Sequence, residues 1–190
     1  MVTIIDYKAG NLTSVQYAFA ALGAETQVTS DPAVIRAAER LVFPGVGASA
    51  SAMANLRAAG LDDVLKDVTA AGRPFLGICL GMQILFEHSE EDGGTDMLGI
   101  LPGRVRRFPD CPGCKIPQIG WNQVNGQAEY YFVHSYYVEM NPFAEGVTEY
   151  AGVTFASCVR KGNILASQFH PEKSGRVGLA FLSDFLNWNP

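Results

Sequence analysis

No stretch of this chain approaches the run of about twenty apolar residues that a membrane span needs, and the opening MVTIIDYKAGN has no basic flank before its short apolar run. These absences exclude a helical span and a secretion signal, and the expected compartment is the cytosol. Positive charge is scarce as well. The 14 basic against 19 acidic residues leave a net charge of −5, which speaks for solubility and against the electrostatic footprint of a nucleic-acid binder. Cys79, Cys111, Cys114 and Cys158 are four cysteines in 190 residues, no disulfide framework for a chain this long, and they are read as reduced thiols. Cys111 and Cys114 form a C-x-x-C pair in DCPGCK, but zinc takes about four ligands and no second pair accompanies them. That stretch is read as a variable loop, with no metal and no cofactor expected.

What is present is a chain 48% hydrophobic, enough for one domain over residues 1–190 that buries roughly 70% of its unfolded surface. The apolar runs VTIID, ETQVTS, RLVFPG and RPFLGI alternate with NLTSVQYAFAALG, PAVIRAA, SAMANLRAAG and LDDVLKDVTAAG, whose periodicity and closing glycines suit helices. Such alternation predicts an α/β fold, an open, mostly parallel twisted sheet with helices on both faces. Asn11 and Asp31 are expected N-caps, with Pro32 at a first helical position. From about Gly99 onward short β-rich runs (RVRRF, WNQV, EYYFVHSYYVEM, YAGVTFASCVR and NILASQF) predict added antiparallel strands, and GRVGLAFLSDFLNW an amphipathic closing helix.

The stretch LGICLGMQILF places a cysteine between two glycines where a strand run meets a helix run. Gly77-Ile78-Cys79-Leu80-Gly81 is the thiol version of the G-x-S-x-G elbow, whose sharp turn needs the glycines on either side. Helix-start N–H groups favour an anion at Cys79, and the Leu80 N–H faces a developing oxyanion. A base is sought among three histidines, His88, His134 and His170. His170 in SQFHPEKSG ends an apolar run; Pro171 makes it extended, and the i, i+2 rule puts Glu172 on its side. Cys79, His170 and Glu172 thus read as nucleophile, base and orienter. His88 in EHSEEDGG reads as solvated polarity after the elbow helix, while His134 in YFVHSYY either lines a pocket or is a satisfied core histidine.

With GICLGMQ and HPEKSG together, the chain resembles the class I (triad-type) glutamine amidotransferases. DYKAGNLTSV, LVFPGVGAS, IGWNQV, YYFVHSYYV and QFHPEKSG extend the likeness over essentially the whole chain, and specifically to the glutaminase subunits of imidazole glycerol phosphate synthase, from histidine biosynthesis. The resemblance implies that Cys79 attacks the side-chain amide of glutamine, giving a glutamyl thioester and ammonia, and that water then releases glutamate. His170 moves the protons and Glu172 orients it. Pro44 to Gly47 would be the oxyanion strand, with backbone donors at Val46 and Gly47 joining Leu80, and Gly45 beside the substrate. Gln83, Glu91, Ser135 and Tyr136 would hold glutamine.

All 190 residues are taken up by hydrolase machinery, so a partner that accepts ammonia is expected. In the family this is a (β/α)8-barrel cyclase that joins ammonia to a phosphoribulosylformimino carboxamide ribonucleotide. Its products are imidazole glycerol phosphate and an aminoimidazole carboxamide ribonucleotide. Asn11, Trp121 and Lys173 match positions at or near that interface. One departure stands out: the family usually has Pro-His before GWN, where this chain has Pro117-Gln118. Two other readings use the same residues: a different triad amidotransferase or γ-glutamyl hydrolase, and a non-catalytic scaffold subunit. PGVG, IGWN and HSYY count against the first, and the intact triad against the second.

Overall fold

The computed structural model describes residues 1–8 and 11–190; Ala9 and Gly10 of the DYKAGN motif lie outside the described residues. The first half is a strand and helix alternation: β1 (Val2–Ile5), α1 (Leu12–Ala21), β2 (Thr26–Thr29), α2 (Pro32–Ala37), β3 (Leu41–Gly45), α3 (Ser49–Ala58), α4 (Leu61–Ala70) and β4 (Phe75–Cys79). The expected caps are in place. Asn11 accepts from the Ser14 N–H at 3.2 Å and Asp31 from the Ala33 N–H at 2.8 Å, with Pro32 opening α2.

A single turn, α5 (Leu80–Gln83), follows β4 directly. Beyond it come β5 (His88–Ser89), β6 (Thr95–Asp96), β7 (Arg104–Arg107), β8 (Gln118–Val124), β9 (Ala128–His134), β10 (Tyr136–Val138), β11 (Ala144–Tyr150), β12 (Val153–Lys161), β13 (Ile164–Ser167) and α6 (Gly175–Asn187). The main sheet runs β2-β1-β3-β4-β13-β12-β10-β7-β5-β6, with β11 pairing β12, while β8 and β9 form a separate hairpin.

The strands β2, β1, β3, β4 and β13 are parallel neighbours. This corrects the expectation for NILASQF: β13 is not an added antiparallel strand but the fifth parallel one, inserted beside β4. Every residue of β1, β3, β4 and β13 is buried, because helices cover both faces. Successive strand residues serve opposite sides. Leu41, Phe43 and Phe75 pack with Leu56, Val64, Leu65 and Val68 of α3 and α4 on one side. Val42, Leu76 and Ile78 pack with Val15 and Phe19 of α1 and Leu182 and Phe185 of α6 on the other. Each such side chain contributes roughly 1.5–3 kcal/mol by burial, so the centre of the sheet is the firmest part of the molecule.

Two further expectations change. EYYFVHSYYVEM is two strands broken at Ser135, β9 in the hairpin and β10 in the main sheet. His88 lies on β5 rather than at a helix end, its Nδ1 2.9 Å from Asp96 Oδ1. Among the described residues no helix is long and apolar enough to cross a membrane.

Candidate active site

Cys79 closes β4 with φ 56° and ψ −113°, a positive-φ conformation outside the left-handed helical region and strained for any residue but glycine. Holding it costs on the order of 1–3 kcal/mol, which the buried strand beneath it must outweigh. Crowding explains the flanking glycines: a Cβ on Gly77 would collide with the Gly81 carbonyl, and one on Gly81 with the carbonyl of Phe43. The elbow therefore exists because strand, turn and neighbouring strand touch through backbone alone. The helix behind it is one turn long, so what faces the sulfur is the local backbone at Leu80 rather than the field of a long helix.

His170 is brought to Cys79 because β13 runs parallel beside β4, the ladder ending at Ser167 opposite Ile78. Its backbone is pinned from the hairpin: the His170 N–H donates to the Tyr131 carbonyl at 2.9 Å, and Ser174 Oγ donates to the His170 carbonyl at 2.7 Å. His170 is extended (φ −96°, ψ 96°), as Pro171 requires. Glu172, however, reaches the ring through a 3-10 turn, Pro171–Lys173, rather than along an extended strand. The outcome is the expected one: Nδ1 lies 2.8 Å from Glu172 Oε1, with both side chains buried.

Burial alone would push the His170 imidazole down. The charge and hydrogen-bonding reach of Cys79, then the hydrogen bond and charge of Glu172, overcome it and raise the ring from 6.5 to about 10. Nε2 is buried and has no well-aligned partner, so ring and thiol are close enough to share a proton but not locked together. Apo sites commonly show such looseness and tighten on substrate.

A cavity of about 220 Å³ opens over the sulfur. Val46, Gly47, Leu80, Gln83, Glu91, Ser135 and Tyr136 all line it with Cys79, so the structure gathers nearly every expected oxyanion and substrate residue around one space. Gly45 is the exception. It pairs with Cys79 across β3 and β4 and lies behind the elbow, where a Cβ would stand 2.7 Å from the Gly81 nitrogen, so its place is structural packing rather than substrate contact. Glu91 is on the rim, and its Oε2 accepts from the Ser49 N–H at 2.7 Å, capping α3 just after the Pro44–Gly47 stretch.

His134 both lines the cavity and is buried. Burial first, moderated by the hydrogen bond to the Tyr136 carbonyl and reinforced by the charge of His170, holds it down at about 4. It is therefore neutral at pH 7, with Nδ1–H donating to Tyr136 O at 2.8 Å and the Nε2 lone pair without a partner. Gln118 stands opposite it across the hairpin, buried, and its Oε1 is also unpartnered.

Asn11, Trp121 and Lys173 are all at the surface. Trp121 is 55% exposed, which removes the core-tryptophan alternative, and it packs edge-on to Tyr131 at 6.1 Å. Lys173 Nζ lies 6.0 Å over the same Tyr131 ring, and Ile119 is 63% exposed on the same strand. Cys111 and Cys114 lie on the loop before β8, close enough that the hydrogen bond Cys114 donates to Cys111, then burial, raises the Cys114 thiol. Among the described residues no group of three or more His, Cys, Asp and Glu side chains is placed to hold a metal ion.

Two participants were not foreseen. Tyr7 Oη is buried without a well-aligned partner; burial chiefly, opposed by the Val46 N–H facing it and reinforced by the charge of Cys79, raises the phenol. Gln168 Nε2 donates to Cys79 Sγ at 3.7 Å. Gln168 was within reach of sequence reasoning, since the i, i+2 rule applied backwards from His170 lands on it.

A cysteine on a strained turn at the end of the fourth strand, a buried His-Glu pair arriving from a parallel neighbour and a cavity that Val46 and Gly47 line with it point to a class. The chain belongs to the class I glutamine amidotransferases, whose family signature matches residues 3–188. A solved structure described as a glutamine amidotransferase superposes with a TM-score of 0.74 at 21% identity, covering 97% of this chain and 99% of that one, a likeness of fold. Within the class the chain belongs to the glutaminase subunits of imidazole glycerol phosphate synthase. The subunit HisH of Herpetosiphon aurantiacus is 48% identical, covering 98% of this chain and 93% of its own. The subunit HisH of Methanothermobacter thermautotrophicus is also 48% identical, with 98% of each chain covered.

Proposed function

We propose that Cys79, as the thiolate, attacks the side-chain carbonyl carbon of glutamine bound in the 220 Å³ cavity. The amide C–N bond breaks, its electron pair leaves with nitrogen, and His170 Nε2 supplies the proton that makes the leaving group ammonia. Water then adds to the glutamyl thioester, its proton taken by His170. The C–S bond breaks, its electron pair returns to Sγ, and glutamate leaves. Glu172 holds the Nδ1–H so that Nε2 faces the reacting atoms. The Leu80 N–H and a donor from Val46 or Gly47 stabilise the oxyanion, each worth roughly 10²–10³ in rate. Glu91 is the acceptor for the α-ammonium, with Gln83, Ser135 and Tyr136 around the rest of glutamine. The observation that carries this reading is the buried Glu172–His170 pair, 2.8 Å apart, set beside the strained Cys79.

The ammonia goes to a (β/α)8-barrel cyclase held in a heterodimer in the cytoplasm. That partner uses it to make imidazole glycerol phosphate and an aminoimidazole carboxamide ribonucleotide. Its docking face is the β8–β9 hairpin, where Ile119 and Trp121 are exposed large apolar side chains flanked by Lys173. The same hairpin carries the Tyr131 carbonyl that holds His170 and, at Val133 and His134, part of the cavity wall. Force applied at Trp121 therefore reaches the triad through a single element. Glutamate release from glutamine tests the reading: by the chain alone, with a cyclase subunit, and with that subunit plus its ribonucleotide. Turnover that needs the liganded partner is expected. Equal turnover by the chain alone would overturn the assigned coupling.

A further inference from the structure

Gln168 is fully buried one residue past the end of β13, which pairs with β4 beneath the elbow. The parallel ladder ends with Ser167 opposite Ile78, so Gln168 is the next residue on one strand as Cys79 is the next on the other. Its side chain touches no solvent and makes two contacts: Oε1 accepts from Gln83 Nε2 at 2.8 Å, and Nε2 approaches Cys79 Sγ at 3.7 Å. Gln83 Nε2 also donates to the Tyr136 carbonyl at 2.8 Å.

The orientation of an amide is decided by its neighbours, and here they leave one solution. Gln83 faces two acceptors, the Tyr136 carbonyl and Gln168 Oε1, so its NH2 must point at both. A flipped Gln83 would set oxygen against oxygen. With Gln83 fixed, the oxygen of Gln168 must face it, and the NH2 of Gln168 must face the sulfur. The Tyr136 carbonyl that anchors the chain also accepts from His134 Nδ1. A relay thus runs from β10 through Gln83 and Gln168 to the nucleophile, buried at each amide.

We infer that Gln168 is a positioning residue for the nucleophile: a dedicated N–H donor to the Cys79 sulfur, kept in its donating orientation by Gln83. A donor at this point favours the sulfur when it is charged. It acts on the attacking sulfur and again when the electron pair of the C–S bond returns to Sγ as the thioester is cleaved. Gln83 then has two tasks, lining the cavity and holding the amide that holds the sulfur. The inference rests on Cys79 being the nucleophile, and its test is separable from that reading.

The test is the pH dependence of Cys79 alkylation by iodoacetamide in the full chain, followed by peptide mass because Cys111 and Cys114 are partly exposed. Hydrogen bonds to charged groups are worth about tenfold or more in an equilibrium constant. Gln168→Met keeps size without a donor and is expected to move the inflection upward by about one pH unit, with roughly tenfold slower alkylation at pH 7. Gln83→Met, which frees the Gln168 amide to turn, moves it in the same direction by less. The double variant matches Gln168→Met alone, because the two act in series. A folded Gln168→Met whose inflection coincides with wild type overturns the assignment. Where Gln168→Met does not fold, an unmoved inflection in Gln83→Met does so. Loss of glutamine hydrolysis in Cys79→Ala with unmoved alkylation profiles would leave the nucleophile standing and remove Gln168 from its support.

Discussion

His170 Nδ1 and Glu172 Oε1 lie 2.8 Å apart, both side chains buried, on either side of a proline that keeps His170 extended and opens the 3-10 turn bearing Glu172. That contact decides which ring nitrogen faces the thiol. Glu172→Gln keeps the shape but presents an amide whose NH2 can turn to the ring and favour the wrong tautomer. Glutamine turnover is expected to fall by roughly 10²–10⁴ with KM little changed. A loss below tenfold would show that Glu172 is not the orienter.

The proton on His170 has a distinct pH signature. Its folded-state pKa, raised from 6.5 to about 10, lies above the unfolded value. The stability it contributes is therefore complete below about pH 6.5 and disappears as pH rises through about 10. Cys79 is the leading cause that raises it. Removing the sulfur in Cys79→Ala should drop the ring's pKa, and imidazole NMR titration of both proteins measures it. A ring in Cys79→Ala that still titrates near 10 would contradict the coupling.

Tyr7 faces the Val46 N–H from inside the fold. A donor turned to a phenol is not available to an oxyanion, so Tyr7→Phe should free the Val46 peptide and raise glutamate release by the isolated chain about tenfold. That is below the roughly 10²–10³ of a complete donor. Activity that falls instead would place the hydroxyl itself among the stabilising donors.

Glu91 caps the Ser49 N–H at 2.7 Å while lining the cavity. Glu91→Ala is expected to cost about 0.5–2 kcal/mol of stability through the lost cap, and to raise KM for glutamine. Thermal denaturation and steady-state kinetics read the two effects separately. A KM change with no loss of stability would remove the capping role.

Trp121 is 55% exposed and meets Tyr131 only at its edge. Trp121→Ala should leave the free chain's stability within about 0.5 kcal/mol of wild type, yet weaken cyclase binding by more than about 1 kcal/mol. Calorimetry of the free chain and of its titration with the partner distinguishes the cases.

The parallel half of the sheet was legible because β1, β3 and β4 are buried on both faces and read as unbroken apolar runs. Strand direction was not. Ile164–Ser167 carries the same local pattern whether it pairs parallel or antiparallel, and only its insertion beside β4 settles it. β11 went unseen since AEGVTEY is half-exposed and bulged against β12, and the two-residue strands β5 and β6 carry too little pattern to detect. The break at Ser135 is invisible in a continuous aromatic run whose two halves join different sheets. At the site, the candidates Cys79, His170 and Glu172 stood out through the Gly-flanked strand-to-helix turn and the His-Pro-Glu sequence. Gly45 was placed with the substrate because its neighbours are, although the close approach of β3 to Leu80 and Gly81 puts it behind the nucleophile. Tyr7 was missed because its hydroxyl meets Val46 only through the fold, 39 positions along the chain.

The central claim is a glutamyl group carried on Cys79. Rapid acid quench of the chain turning over glutamine with its liganded cyclase, followed by intact and peptide mass, tests it most directly. The account predicts one glutamyl adduct confined to the peptide bearing Cys79, present during turnover and absent in Cys79→Ala. Steady glutamate release with no adduct in wild type, or with undiminished rate in Cys79→Ala, would contradict it.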